Sequence, residues 1–243
     1  MNPLHLLLTP WLHLLLLWLG LLSLGWNLIA APLTLLLPPA VAHRLGRAAI
    51  SRGYRFYWAC AHASGLMRID AHALDVLADE PGGLIVAANH PSMVDAMLIV
   101  ARLPRGVCVM KAALLHNVFL GAGARLAGYI ANDAPFPMVR SAVACVQAGG
   151  QLVLFPEGTR SVGGRLQPLL PGIALIAQRA QVPIQTVVIE TDSPFLGKGW
   201  PIWRLPPVPM RYRLRLGRRY APSADVAGLM AELEAHFREE IAR

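Results

Sequence analysis

The sequence predicts an α/β domain with a mostly parallel central sheet flanked by helices, preceded by an apolar helical segment. After Asp70, short apolar and β-prone runs alternate with stretches of helical length and spacing, the pattern of a sheet built from crossover units. Those runs, LIVAA, VCVM, QLVLF and PIQTVVI, are short, largely apolar and β-prone, as strands of a largely buried sheet are. Between Met1 and His43 there is no Asp, Glu, Lys or Arg at all.

Taken in chain order, the segment Trp11 to Ala31 lies between Pro10 and Pro32 and has the length a helix needs to cross a bilayer core. It lacks a basic start and exceeds an ordinary signal-peptide core, so it is expected to stay attached. Pro32, Pro38 and Pro39 break its continuation, which leaves both a full span and a re-entrant two-helix hairpin open. Arg44, Arg47, Arg52 and Arg55 come next, before the first acidic residue, Asp70. That bias places the chain beyond residue 44 on the cytoplasmic side of the membrane. From Val41 to Leu66 the arginines are interspersed with Tyr54, Phe56, Tyr57 and Trp58, which suits a helix lying in the headgroup layer; the alternative is a helix packed on the domain with a solvated face. Residues 1–65 are therefore expected to form the membrane anchor and interfacial helices, and residues 66–243 the α/β domain.

Within that domain, strands are expected at Leu84–Ala88, Val107–Met110, Gln151–Phe155 and Pro183–Ile189, with a helix over Pro168–Gln181. MRYRLRLG, Met210 to Gly217, alternates arginine with Tyr212, Leu214 and Leu216 and predicts a late strand with one basic face. An amphipathic helix from Ser223 to Arg243, with Ser223 as N-cap, closes the chain.

Composition narrows the partners. The chain is 55% hydrophobic and 15% charged, with a formal net charge of +8, and Lys111 and Lys198 are its only lysines. Arginine offers a planar fork suited to phosphate, so anionic lipid or a phosphorylated substrate fits the charge. Nucleic acid does not, because no basic run is interleaved with base-stacking aromatics. Cys60, Cys108 and Cys145 are far apart among apolar neighbours, without metal-ligand spacing, and read as reduced thiols.

Two motifs carry the chemistry. In NHPSMVD, Asn89 to Asp95, a strand ending at Ala88 presents Asn89 and His90 at the sheet edge, and Pro91 is expected in the first turn of a helix that holds Asp95. A carboxylate on one imidazole nitrogen fixes the tautomer and raises the basicity of the other, making a general base. By itself the pair reads equally well as structural capping. FPEGTR, Phe155 to Arg160, also follows an apolar strand and returns to the same edge if the strands are parallel. There Gly158 permits a tight turn and Arg160 supplies donors for a phosphate; the alternative is a plain turn with a Glu157–Arg160 surface pair.

With NHxxxxD, FPEGTR and the later VPIQTVVI, Val182 to Ile189, residues 40–220 resemble the glycerolipid acyltransferases of the 1-acylglycerol-3-phosphate (lysophosphatidate) acyltransferase type. The resemblance implies an apolar two-helix anchor beside an α/β domain. It implies an enzyme that moves a fatty acyl group from acyl-CoA or acyl carrier protein to a hydroxyl of a lysophospholipid-like acceptor, with no bound cofactor or metal. His90 would be the base and Asp95 its orienting partner. Gly158 and Arg160 would hold the acceptor headgroup, Glu157 and Thr159 would shape that loop, and Asn89 would complete the substrate-binding set. The oxyanion would be met by amides of that turn or of the helix after His90. No GxSxG elbow is present, consistent with direct transfer.

Two departures bear on the acceptor. The family's FIDR-like stretch has its counterpart in YIAND, Tyr129 to Asp133, where Asn132 stands in place of a phosphate-binding arginine; Arg125 and Arg140 are the nearest replacements. Thr186 replaces the second proline of the VPI motif. Acceptors such as a lyso-ornithine lipid or a polyene pigment are the alternative, and thioester hydrolysis or a non-catalytic membrane role are the readings outside this class.

Overall fold

The structure, a computed structural model, describes residues 3–163 and 165–242. Met1, Asn2 and Arg243, the outer ends of the expected first and last segments, lie outside the described residues. Two long helices open the chain, α1 (Pro3–Leu36) and α2 (Pro39–Ala63). The remaining elements are β1 (Met67–Asp70), β2 (Leu84–Ala88), α3 (Asp95–Val100), β3 (Gly106–Met110), α4 (Gly121–Leu126) and β4 (Ile130–Ala131), followed by α5 (Pro135–Gln147), β5 (Gln151–Leu154), α6 (Gly172–Ala180), β6 (Ile184–Thr191), β7 (Met210–Tyr220) and α7 (Val226–Ala242). The seven strands form one sheet in the order β1-β7-β6-β2-β5-β3-β4. β6 and β7 pair antiparallel and every other neighbouring pair is parallel, so β1 and β7 run against the other five.

Side chains of successive strand residues point to opposite faces, so each apolar run feeds two cores. Leu84, Val86 and Ala88 join Tyr57 and Trp58 of α2 and Leu12 and Leu15 of α1 on one face. Ile85 and Ala87 meet Val139 of α5, Ile173 of α6 and Phe237 of α7 on the other. β2 and β5 lie at the centre, and their parallel pairing delivers the chain after both strands to the same edge.

The N-terminal helices differ from expectation in two ways. α1 runs through both Pro10 and Pro32 and ends at Leu36, although each proline removes one helical hydrogen bond. The chain instead reverses at Leu37–Pro38, with Pro39 in the first turn of α2. Contacts of Trp11 Nε1 with the Ser64 carbonyl and of the Trp18 ring with Phe56 show that the two helices are antiparallel. Nor does α2 present most of its aromatics outward: Phe56 is exposed, but Tyr57 and Trp58 are buried in the core, and Arg47 and Arg55 donate to the carbonyls of Ala127 and Ala101. The packed-helix alternative describes α2 better, because an aromatic-rich face is worth more against the sheet than in water. Gly46 is where α2 meets the chain after α4, a Cβ there falling 2.7 Å from the backbone of Leu126 and Ala127.

Three smaller corrections concern ends and surfaces. α6 starts at Gly172 rather than Pro168, since the Leu170 amide donates to the Pro156 carbonyl and holds 168–170 as extended cover for the FPEGTR loop. α7 is capped by Asp225, whose Oδ1 accepts the Gly228 amide, while Ser223 accepts the Asp225 amide just before it. The basic face of β7 is largely neutralised, Arg211, Arg213, Arg215 and Arg219 pairing with Asp192, Asp70, Glu190 and Glu80.

Candidate active site

His90 is the second residue after β2, at the centre of the sheet edge. Its Nδ1 donates to Asp95 Oδ2 at 2.8 Å, and that same oxygen accepts the Ser92 amide at 2.7 Å. The second bond closes residues 92–95 into a turn, so Asp95 becomes the first residue of α3 and Pro91 lies in the turn before it, not in the helix. Asp95 is fully buried and its Oδ1 has no hydrogen-bond partner among the described residues. Burial pushes its carboxyl up to about 6; the His90 contact and the Ser92 amide pull it down in part, and Glu157 adds a small upward push. A buried carboxylate with an orphaned oxygen is unfavourable for folding, and such costs concentrate where chemistry requires them.

The FPEGTR loop grips His90 from the other side. Glu157 Oε1 accepts the His90 amide at 3.0 Å, and the Ser161 amide donates to the His90 carbonyl at 2.8 Å. The Phe155 ring stacks on the imidazole, centroids 4.0 Å apart and planes 18° from parallel. Backbone, ring face and Nδ1 are thus all held. The imidazole retains 19% exposure, and Nε2, the nitrogen left without a proton when Nδ1 donates, forms no hydrogen bond with any described residue.

The residues expected to bind substrate divide into two groups. Asn89 and Glu157 do not face an open site: both are buried and their polar atoms are engaged within the protein. Asn89 continues the β2–β6 ladder, its Nδ2 donating to the Ile189 carbonyl at 2.9 Å and its Oδ1 accepting the Ile189 amide at 2.7 Å. Glu157 accepts the Ser161 hydroxyl and the Gln167 amide besides His90, so the alternative Glu157–Arg160 pair does not form. Asn89 thus joins the ends of β2 and β6, and Glu157 holds its loop together, each through contacts within the protein. Gly158 and Thr159 are exposed, and Gly158 adopts φ +64, where a Cβ would come within 2.6 Å of Leu170. Arg160 donates through Nη1 to the carbonyls of Leu196 and Gly197 at 2.8 and 3.0 Å, so part of its fork braces the chain after β6.

Phe155, Ser92 and Ser161 were missed as site residues. Phe155 belongs to the quoted motif, but its ring contact depends on β2 and β5 being neighbours. Lys111 directly follows β3, the neighbour of β5, and is exposed at the same edge; its signal was a lone lysine closing an apolar strand. Asn132 leaves β4 at this edge, exposed, with its amide on the Met110 carbonyl. Arg125 donates to the Leu115 carbonyl, whereas Arg140 is exposed on α5. Phe155→Leu keeps volume but loses the stack, worth about 0.5–1.5 kcal/mol for aromatic pairs. It is expected to lower kcat about 2- to 10-fold with KM for the acyl donor unchanged, Phe155→Tyr retaining the rate; equal losses in both variants would contradict a positioning role.

Comparison with known proteins points one way. A family model described as Acyltransferase matches residues 68–190. A 1-acyl-sn-glycerol-3-phosphate acyltransferase of Cocos nucifera is 35% identical over 112 residues, 43% of this chain and 36% of that protein. One from Helicobacter pylori is 32% identical over 169 residues, 66% of this chain and 69% of that protein. Against the first curated relatives the chain spans about a third to a half of their length, 36% and 47%. The crystal structure of the 1-acyl-sn-glycerophosphate (LPA) acyltransferase PlsC from Thermotoga maritima shares the fold, with TM-score 0.74 and 20% identity over 98% of this chain and 95% of that one.

Proposed function

Because the chain belongs to the Acyltransferase family, we propose that it transfers a fatty acyl group from a thioester to a hydroxyl of a 1-acylglycerol-3-phosphate-like lysolipid. The observation that carries this reading is the restraint on His90, fixed on every side except Nε2. Nε2 takes the proton of the acceptor hydroxyl while the hydroxyl oxygen attacks the thioester carbonyl. The imidazolium so formed is stabilised by Asp95, and the tetrahedral intermediate collapses by expelling the thiolate, which recovers the proton from His90. Bonds and protons balance without an acyl-enzyme. Acyl-CoA and acyl carrier protein both satisfy this chemistry as donor.

For the acceptor phosphate, Lys111 and the remaining guanidinium nitrogens of Arg160 are the cations this reading uses, with the exposed Gly158 and Thr159 in the turn before Arg160. Asn132 weakens the site toward a phosphomonoester, which favours a second reading with a zwitterionic acceptor such as a lyso-ornithine lipid. The test is purified full-length protein in detergent, a labelled acyl thioester and a panel of lysolipids. Transfer to lysophosphatidate is the expected result, and release of free fatty acid alone would indicate a thioesterase. Asn132→Arg adds a charge-assisted hydrogen bond of about 1.5 kcal/mol or more and is expected to raise kcat/KM for lysophosphatidate roughly tenfold relative to a zwitterionic lysolipid.

We read residues 1–65 as the membrane anchor, with the α/β domain cytoplasmic on the strength of Arg44, Arg47, Arg52 and Arg55. An 18-residue window within residues 8–36 of α1 has a mean hydropathy of 2.0 and only 17% of its residues buried, and Leu28, Leu35 and Leu36 are among the most exposed apolar side chains. An attachment of this kind is hydrophobic rather than electrostatic, so a carbonate wash is expected to leave the protein in the membrane fraction and detergent to release it.

A further inference from the structure

We propose that the segment joining β6 to β7 is a second membrane contact, which seats the mouth of the site on a bilayer carrying anionic lipid. The inference rests on the acyltransferase reading only for its purpose; its geometry stands apart.

The segment leaves the sheet edge beside β2. Its inner residues Phe195, Leu196 and Leu205 are buried in the same core as Leu12 and Leu15 of α1, so it continues the face on which the N-terminal helices pack. Its outer turn does the reverse, leaving Ile202 48% and Trp203 68% exposed. That turn is prefolded: the Trp200 amide donates to the Gly197 carbonyl, the Arg204 amide to that of Pro201, and the Arg204 guanidinium lies over the Trp200 ring at 4.8 Å. A structured turn that displays an indole and an isoleucine in water, flanked by exposed Lys198 and Arg204, has the chemistry of the headgroup layer.

The rest of this edge matches. Among the described residues outside α1 and α2, every exposed large apolar side chain except Val76 lies in a loop or a first helical turn at the edge that carries His90. Sheet order puts Ile202 and Trp203 beyond β6 on one flank, and Val118, Phe119 and Phe136 beyond β3 and β4 on the other, with His90 and FPEGTR between. A membrane surface touching both flanks would lie across the mouth of the site. The same segment buttresses both motifs: Arg160 donates to the Leu196 and Gly197 carbonyls, the Ser92 hydroxyl to that of Phe195, and the Met93 amide to that of Leu196.

The experiment uses full-length protein reconstituted into vesicles of mixed phosphatidylcholine and phosphatidylglycerol. The fluorescence difference between wild type and Trp203→Phe isolates Trp203, and acyl chains brominated near the headgroup are expected to quench it. Absence of quenching overturns the proposal, whether the segment meets water or an acidic carrier protein. This readout needs no activity, so it separates failure here from failure of the acyltransferase reading. Where activity is found, Ile202→Ser/Trp203→Ser is expected to lose at least fivefold in kcat/KM on vesicle-borne acceptor. It should stay within twofold of wild type on a short-chain acceptor below its micelle concentration. Equal effects on both acceptors would mean the turn acts on the site itself rather than on the membrane.

Discussion

His90→Ala is expected to lower kcat for acyl transfer by at least about 100-fold, the usual contribution of a positioned general base. The fold should not follow the activity down. The contacts that bind this residue to the FPEGTR loop are made by its backbone, from the amide to Glu157 and from the Ser161 amide to its carbonyl, and both survive truncation. Only the stack on Phe155 and the bond to Asp95 disappear. Circular dichroism and the thermal midpoint should therefore stay close to wild type, and sedimentation should still find the protein with membranes. A variant that kept more than about a tenth of the wild-type rate would exclude His90 as the base.

Asp95→Asn is expected to reduce kcat by about 100-fold or more, because the neutral amide cannot compensate the imidazolium charge that forms on His90. Its effect on stability should have the opposite sign from that of an ordinary buried-residue change. The folded-state pKa of about 6 lies above the value of 3.8 for an unperturbed carboxyl, with burial as the main cause. A raised carboxyl favours folding when protonated, so this contribution is fully present below about pH 4 and is lost as pH rises through 6. At pH 7 the ionised group costs up to roughly 3 kcal/mol, its Oδ1 lacking any partner among the described residues. Asparagine keeps an acceptor for the Ser92 amide without the charge, and the thermal midpoint at pH 7 should be equal or higher. Wild-type activity, in turn, should fall as pH drops through about 6, where the Asp95 carboxylate takes up a proton and no longer compensates an imidazolium. Activity unchanged between pH 7 and 5 would contradict this assignment.

The strands were readable because each announces itself locally: LIVAA, VCVM, QLVLF and PIQTVVI are short, largely apolar and β-prone, and β7 alternates within eight residues. β4, two residues long, and β1, four residues with an exposed arginine, carry no such signature. Asn89 shows why a contact of this kind was not legible. A polar residue after a buried strand looks available for substrate until its partner is known, and that partner, Ile189, lies 100 residues away.

By itself, the sequence determined that an α/β sheet comes after an apolar helical segment, that NHPSMVD and FPEGTR both emerge from strands, and that His90 and Asp95 can meet. These depend on periodicity and on spacing within a turn or two, which the residue order contains. Only the tertiary structure decided that β2 and β5 are central neighbours, that Glu157 and Ser161 clamp the His90 backbone, that Phe155 stacks on its ring, and that part of Arg160 braces the segment after β6. Those contacts follow from strand order and register, set by how two cores pack on opposite faces of one sheet, and no local pattern in the chain encodes which strands become neighbours.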